Sequence, residues 1–101
     1  MSKPPIDVTP QEWRIIEAIL KKHVPFREVW AFGSRAKGTA HQGSDLDLVV
    51  FADPQHALAV YQLAQAFEES FLPFRVDVLV WGSLTTAMQD NIRAQYIVLQ
   101  P

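Results

Sequence analysis

The feature that most constrains the fold is the alternation of charged and apolar residues in DLDLVVFA, residues 45–52. Side chains along a β-strand point alternately to the two faces of a sheet. A strand here places Asp45 and Asp47 on one face and the leucines between them on the other. Two like charges beside a core are unfavourable unless something neutralises them. The segment therefore predicts a strand whose paired carboxylates have a partner.

A second segment, RVDVLVW at residues 75–81, repeats the alternation with one carboxylate, Asp77. If the two strands are neighbours in phase, then Asp45, Asp47 and Asp77 cluster on one face. Three like charges that close repel each other unless cations lie between them. Oxygen ligands without histidine or cysteine suit Mg²⁺. Two such ions about 3.5–4 Å apart are the usual arrangement for phosphoryl or nucleotidyl transfer, so the sequence predicts an Mg²⁺ site with two ions.

A glycine and a serine at the end of an earlier predicted strand supply a candidate phosphate site. Gly33 and Ser34 lie ten residues before the first aspartate. Glycine at a strand end lets backbone N–H groups approach a phosphate, and a helix N-terminus beyond it favours negative charge. The Ser34 hydroxyl can donate to a phosphate oxygen. Arg35 and Lys37 could neutralise a triphosphate.

Each feature alone also has a purely structural explanation. A Gly-Ser pair after a strand is usually a turn, and an Asp-x-Asp strand is often an edge feature or half of an ion pair. Asp77 could simply pair with Arg75 or Lys37, and Arg35 is most often a solvated charge. The combination and its spacing favour the chemical interpretation over these alternatives.

The rest of the chain predicts alternating helices and strands. Thr9, Pro10 and Glu12 give the capping signature of a helix that ends near His23. The elements predicted after it are a strand at 28–33, a short helix at 34–37, a polar loop at 38–43, a strand at 45–52, a helix begun by Asp53-Pro54 and stopped by Pro73, a strand at 75–81, a helix from a Ser83 cap to Ala94, and a strand or docked tail at 96–99.

This order predicts an α/β (α+β) fold, a small mixed β-sheet flanked by helices. We expect residues 1–8 to form a flexible N-terminal arm and residues 9–101 a single domain. Two apolar stripes should face the core. They consist of Val60, Leu63, Ala64, Phe67 and Phe71 in one helix and Leu84, Ala87 and Met88 in the last helix.

Composition excludes several classes of protein. The 101 residues are 49% hydrophobic and carry a net charge of −2, so we expect a globular domain with no direct nucleic-acid binding. The chain has no cysteine, which excludes a disulfide framework and cysteine-ligated zinc. No apolar run approaches the roughly 20 residues of a membrane span. We therefore expect a cytoplasmic protein that does not bind membranes.

Gly33-Ser34, ten residues, then Asp45-Leu46-Asp47 resembles the signature of the polymerase-beta-like nucleotidyltransferase superfamily. The local form, GSRAKG followed by SDLDLVV, is similar to the minimal nucleotidyltransferase (MNT) group, and LPFRVDVLVW and YIVLQ also resemble its small bacterial members. The resemblance implies the palm-like nucleotidyltransferase core. It implies that Asp45 and Asp47 hold Mg²⁺, that Asp77 is a third carboxylate able to activate the attacking hydroxyl, and that Gly33 and Ser34 hold the triphosphate of ATP.

Many minimal members are paired with a helical HEPN protein, an RNase toxin that the MNT protein neutralises, and some transfer AMP to a tyrosine of the toxin. The resemblance thus implies an adenylyltransferase antitoxin that forms a hetero-oligomer with a HEPN partner. Two alternatives remain open from the sequence. One is a non-catalytic subunit that neutralises the partner by binding, since so small a domain has little material for an acceptor pocket. The other is nucleotidyl transfer to a small molecule.

Overall fold

The computed structural model describes residues 3–41 and 43–101, so residues 1, 2 and 42 of the predicted arm and loop lie outside the described residues. Within them the chain forms an α/β fold, as predicted. The elements are α1 (Pro10–His23), β1 (Val29–Phe32), α2 (Ser34–Lys37), β2 (Leu46–Val50), α3 (Ala57–Glu68), β3 (Val76–Val80), α4 (Thr86–Ala94) and β4 (Ile97–Gln100), with 3-10 turns at Pro54–His56 and Trp81–Ser83. No helix in this part of the chain has the length and apolar character needed to cross a membrane.

The first helix begins where its capping signature predicts. The Thr9 hydroxyl accepts a hydrogen bond from the Glu12 N–H at 3.1 Å, and the Glu12 carboxylate accepts one from the Thr9 N–H at 2.9 Å. Pro10 occupies the first helical position. These reciprocal bonds satisfy backbone donors that a helix leaves free at its start, so the N-terminus of α1 is fixed by local sequence.

The four strands form one mixed sheet in the order β3-β2-β1-β4. The central strand β1 is antiparallel to both β2 and β4, whereas β2 and β3 are parallel. Parallel neighbours need a crossover connection, which α3 provides. The C-terminal segment, which the sequence left open as a strand or a docked tail, is a strand, β4. It forms one edge of the sheet.

The two faces of the sheet differ in kind. One face, which we call the apolar face, meets α1 and α3 and carries the main core. It holds Val29, Ala31, Leu46, Leu48 and Val50, all fully buried. The opposite face, which we call the carboxylate face, carries Asp47 and Asp77 at one end of the strands. Strand alternation thus sends successive residues of β2 to opposite environments.

The predicted flexible arm is wrong for its last residues. Ile6 is only 6% exposed and belongs to the core, and Val8 packs against that core. The Asp7 N–H also donates to the Arg35 carbonyl at 2.9 Å. An apolar residue three positions before a cap, here Ile6, can pack back onto its own domain, and this tethers the segment.

The predicted start and inward stripe of the second long helix need correction. Asp53 makes no side-chain cap bond; it precedes a 3-10 turn, and α3 begins at Ala57. Val60, Leu63 and Phe67 are buried as predicted, whereas Phe71 is 96% exposed. The helix ends at Glu68, so helical periodicity no longer applies at Phe71.

The predicted start of the last helix is also wrong. Ser83 lies in a 3-10 turn, and Thr85 is the cap, since its hydroxyl accepts from the Met88 N–H at 3.2 Å. Leu84 is extended and lies outside the helix, so helical spacing does not place it on one face with Ala87 and Met88. Ala87 and Met88 are exposed, and Ile92 is the residue that α4 buries.

Candidate active site

The register of β2 and β3 brings two carboxylates together. Asp47 lies directly opposite Asp77 on the neighbouring parallel strand. Residues opposite each other in adjacent strands share a face, so the predicted phase of these two strands is confirmed. Asp45 precedes the first residue of β2 and is exposed. The site therefore combines two strand carboxylates with a third at the entrance to β2.

The electrostatics of the site agree with this geometry. The pKa of Asp47 is raised above 3.8 by burial, and further by the negative charges of Asp77 and Asp45. Burial disfavours the charged form of a carboxyl group, and nearby like charges do the same. The negative charges of Asp45 and Asp77 thus act on Asp47, and a bound cation would offset this repulsion.

Gly33 is packed directly against this cluster. It follows Phe32, which is paired with Asp47 across the antiparallel ladder of β1 and β2. Its backbone has φ 78° and ψ −162°, a conformation open essentially to glycine alone. A Cβ at this position would overlap a carboxylate oxygen of Asp47. Position 33 therefore requires glycine both for its backbone conformation and for the close approach of Asp47.

The short helix α2 follows from this glycine. The Gly33 carbonyl accepts from the N–H groups of Ala36 and Lys37 at 3.1 and 3.0 Å, and Gly38 ends the turn with φ 76°. Ser34 is thus the first helical residue, directly beyond Gly33. Lys37 is exposed and lines a cavity of about 140 Å³ between the end of β1 and α4. The structure thus places Gly33, Ser34 and Lys37 around one end of the carboxylate face.

Arg35 has a different environment from the phosphate contact that the sequence suggested. It is only 6% exposed. Its guanidinium donates to the Ser44 carbonyl at 2.9 Å and to the Asp7 carbonyl at 2.8 Å, and it lies 3.9 Å from the centroid of the Phe74 ring. Arg35 thus joins the N-terminal segment, the loop before β2 and the loop before β3.

This bracing role was missed because its partners are separated in sequence. Two are backbone carbonyls, which carry no sequence signal, and the third is an aromatic ring far along the chain. Ser44 directly precedes Asp45. The Arg35 side chain therefore holds the loop that leads into Asp45 in place.

The carboxylate of Asp77 forms an ion pair with Arg75, which lies two residues earlier in the chain. The Arg75 Nε lies 2.9 Å from a carboxylate oxygen of Asp77, and the two side chains are 76% and 35% exposed. This is the ion pair that the sequence left open as an alternative for Asp77. Among the residues that the structure describes, no three carboxylate, histidine or cysteine side chains converge closely enough to hold a metal ion as they stand.

The donor set nevertheless suits a hard divalent cation. It consists of carboxylate oxygens that repel each other, and oxygen ligands are those that Mg²⁺ prefers. Asp77 would have to release Arg75 to complete the set. Because an exposed ion pair of this kind contributes at most about 1 kcal/mol, that release requires little free energy.

The far end of the carboxylate face holds an aromatic cluster. Trp30 stacks on Tyr96 with ring centroids 3.8 Å apart and contacts Phe51 and Trp81 edge-on at 4.6 and 5.5 Å. Arg93 of α4 lies 4.9 Å from the Trp81 ring centroid. These aromatic rings cover the carboxylate face at the end away from the aspartates.

Comparison with known proteins agrees with the fold. The family described as "Polymerase beta, Nucleotidyltransferase" matches residues 14–100. A Haemophilus influenzae protein named as a probable protein adenylyltransferase MntA is 44% identical over 96 residues, which cover 94% of this chain and 84% of that protein.

Solved structures give the same grouping. A crystal structure of a toxin–antitoxin with AMP-PNP matches with a TM-score of 0.68 at 29% identity, covering 86% of this chain and 71% of that one. A toxin–antitoxin MntA-HpeT mutant, in which two aspartates two positions apart are replaced by glutamate, matches with a TM-score of 0.66 at 27% identity and the same coverage. This chain therefore belongs to the polymerase beta nucleotidyltransferase family, and it is a nucleotidyltransferase similar to the MntA protein adenylyltransferases.

Proposed function

We propose that this chain is a cytoplasmic antitoxin that transfers AMP from ATP to a tyrosine hydroxyl of a helical HEPN toxin, with which it forms a hetero-oligomer. The observation that carries this proposal is the register of Asp47 with Asp77 beside a glycine that contacts Asp47. The adenylyltransferase name of the Haemophilus influenzae relative and the toxin–antitoxin structure with AMP-PNP support the same reaction and the same kind of partner.

Asp45, Asp47 and Asp77 are the residues that would hold Mg²⁺, with two ions expected. Bound there, the ions would neutralise negative charge on the nucleotide phosphates and polarise the reacting oxygens. The pKa of Asp47, which burial raises first and the charges of Asp77 and Asp45 raise further, is consistent with this role, because a bound cation would favour the ionised carboxylate. The toxin–antitoxin variant with two replaced aspartates points to an equivalent pair in that protein.

Gly33 and Ser34 would hold the triphosphate. The open backbone at Gly33 and the hydroxyl of Ser34 lie at the start of α2, where the first N–H groups have no partner within the helix. Lys37 is exposed on the same side and can add a positive charge to a phosphate. Arg35 serves the site by bracing Ser44 rather than by touching phosphate, as its buried hydrogen bonds suggest.

The reaction itself needs a base and a leaving group. The acceptor oxygen forms a bond to the α-phosphorus of ATP, and the bond from that phosphorus to the bridging oxygen breaks, so that pyrophosphate leaves with the electron pair. Asp77 accepts the proton of the acceptor hydroxyl. A carboxylate can do this only when it is ionised and free to face the acceptor, so Arg75 must release it first.

Intact-mass spectrometry tests the proposal. A candidate HEPN partner is incubated with this chain, ATP and Mg²⁺. We expect the partner to gain one or more AMP units on tyrosine. Asp47→Asn should lower the transfer rate by about 10³-fold, since the metal interaction provides several kcal/mol of stabilisation in the transition state.

Asp90→Asn is the matched control, because Asp90 is an exposed carboxylate on α4 that pairs only loosely with Arg93 at 3.4 Å. It should transfer AMP at the rate of the unsubstituted chain. If the partner binds but gains no mass, the chain neutralises it by binding alone. If AMP appears on a small acceptor and never on protein, the third alternative replaces the proposal.

A further inference from the structure

The strand that carries Asp77 lies at an edge of the sheet. In the described part of the chain β3 pairs with β2 and with no other strand. The N–H and C=O groups of successive strand residues point to alternate sides. The Arg75 carbonyl accepts from the Leu46 N–H at 2.9 Å, so it points towards β2. By alternation, Asp77 and Leu79 also bond towards β2, while the backbone groups of Val76, Val78 and Val80 point outwards.

This edge lacks the protection found at the other edge. Natural edge strands are commonly shortened, bulged, or blocked by lysine or proline. At the opposite edge, the pairing of β4 with β1 is irregular between Val29 and Trp30, and Pro101 directly follows β4. In contrast, β3 is a regular five-residue strand, VDVLV, whose single charge is the site residue Asp77. An apolar, regular edge is suited to pairing with another strand.

A groove runs along the same edge. It has a volume of about 570 Å³ and lies between β3 and the C-terminal half of α3. Its lining is mixed, with the apolar Phe67, Leu72, Val76 and Val78 beside the charged Glu68, Arg75 and Asp77. A strand added beside β3 would direct alternate side chains into this groove, and the intervening ones onto the carboxylate face.

We propose that an extended, hydroxyl-bearing segment of the protein substrate adds to the sheet at β3 and presents its acceptor hydroxyl beside Asp77. This inference rests on the proposed function. A helix in the groove would leave the outward backbone groups of Val76, Val78 and Val80 without partners, whereas an extended segment pairs with them. Side chains opposite each other on adjacent strands have Cβ atoms about 5 Å apart, so a residue opposite Asp77 reaches its carboxylate.

Amide hydrogen exchange tests the inference. It is measured by NMR on the free chain and on its complex with the HEPN protein that accepts AMP in the proposed function. In the free chain the N–H groups of Val76, Val78 and Val80 should exchange rapidly, while those of Asp77 and Leu79 are protected by β2. In the complex we expect at least about tenfold slower exchange at the three valines, since each gains a strand hydrogen bond. Unchanged exchange at the valines in a complex that forms would overturn the inference.

A substitution gives an independent readout. Val78→Pro removes an outward N–H and leaves the bonds to β2, and edge strands accept proline on the solvent side. Leu58→Ala changes an exposed residue of α3 that does not line the groove, and it is the control. We expect the proline variant to raise the KM for the protein acceptor at least about tenfold, with the Kd for ATP unchanged, and the Leu58→Ala variant to match the original chain.

The inference and the proposed function can fail separately. AMP transfer without protection of the three valines would uphold the function and overturn strand addition. Protection of the valines without transfer would uphold strand addition and overturn the function. A proline variant that folds and keeps the original KM for the acceptor would count against strand addition in the same way.

Discussion

The two faces of β2 show how one strand serves both stability and chemistry. Leu48 points to the apolar face and is fully buried in the core beneath α1 and α3. Asp47, its neighbour in sequence, points to the carboxylate face, where burial and like charges raise its pKa. The first residue favours folding and the second opposes it. The comparison teaches that the unfavourable charges are tolerated because the opposite face supplies the packing.

The largest expected effect on stability comes from the apolar face. Leu48→Ala should lower the free energy of unfolding by about 2–5 kcal/mol, because it leaves a cavity in a packed core. Urea denaturation measures this. Leu58→Ala is the matched control, since Leu58 lies on α3 and is 67% exposed, and it should change the stability little. Equal losses in the two variants would contradict the assignment of the core to this face.

A second prediction concerns the brace behind the carboxylate face. Arg35→Met keeps the apolar stem but removes the bonds to the Ser44 and Asp7 carbonyls. We expect a loss of about 2–3 kcal/mol in urea denaturation, because buried acceptors lose charged donors. Arg75→Met is the control, as its ion pair with Asp77 is exposed and contributes at most about 1 kcal/mol. If both arginine variants were equally stable, Arg35 would not be a structural brace.

A third prediction separates backbone strain from side-chain overlap on the carboxylate face. Gly33→Ala should cost about 1–3 kcal/mol for its backbone conformation, and in addition it displaces the Asp47 carboxylate. Gly38→Ala is a suitable control, because Gly38 also has a positive φ but has no atom within 4 Å of an added Cβ. Only Gly33→Ala should weaken nucleotide binding, measured by calorimetry. Equal nucleotide affinity in both variants would contradict the contact with Asp47.

The smallest predicted effect on stability is a gain, whereas the three substitutions above lower stability. The folded-state pKa of Asp47 is raised, so its stabilising contribution is complete below the unfolded value of about 3.8 and is lost as pH rises through the folded value. At pH 7, without Mg²⁺, Asp47→Asn should therefore raise the melting temperature slightly. The difference between the two chains should shrink as the pH falls towards 4. A lower melting temperature for the variant at pH 7 would show that the ionised carboxylate stabilises the fold.

Much of this arrangement was predictable from local sequence. The alternation in DLDLVV and RVDVLV predicted both strands and the shared face of Asp47 and Asp77, and the register confirms that prediction. The capping box of α1 was equally predictable, because its partners lie three residues apart. The alternation of side chains along a strand and the capping of a helix over three residues depend on local sequence, so distant contacts do not change them.

What escaped prediction depends on distant contacts. Ser83 and Thr85 are both good caps, and the choice of Thr85 follows from the 3-10 turn after β3, whose Trp81 carbonyl accepts from the Gln89 side chain at 2.9 Å. Arg35 is buried because Asp7, Ser44 and Phe74 meet around it from separate segments. Phe71 was assigned inwards only because the helix was expected to continue past Glu68.

The mixed sheet order also sets the sequence in which the site forms during synthesis. β1 and β2 are antiparallel neighbours joined by a short connection, so Gly33 and Asp47 can meet soon after they leave the ribosome. Asp77 arrives later and must wait for α3 to fold across the sheet before β3 can dock in parallel. In a growing chain, Gly33 and Asp47 can therefore meet before Asp77 joins them.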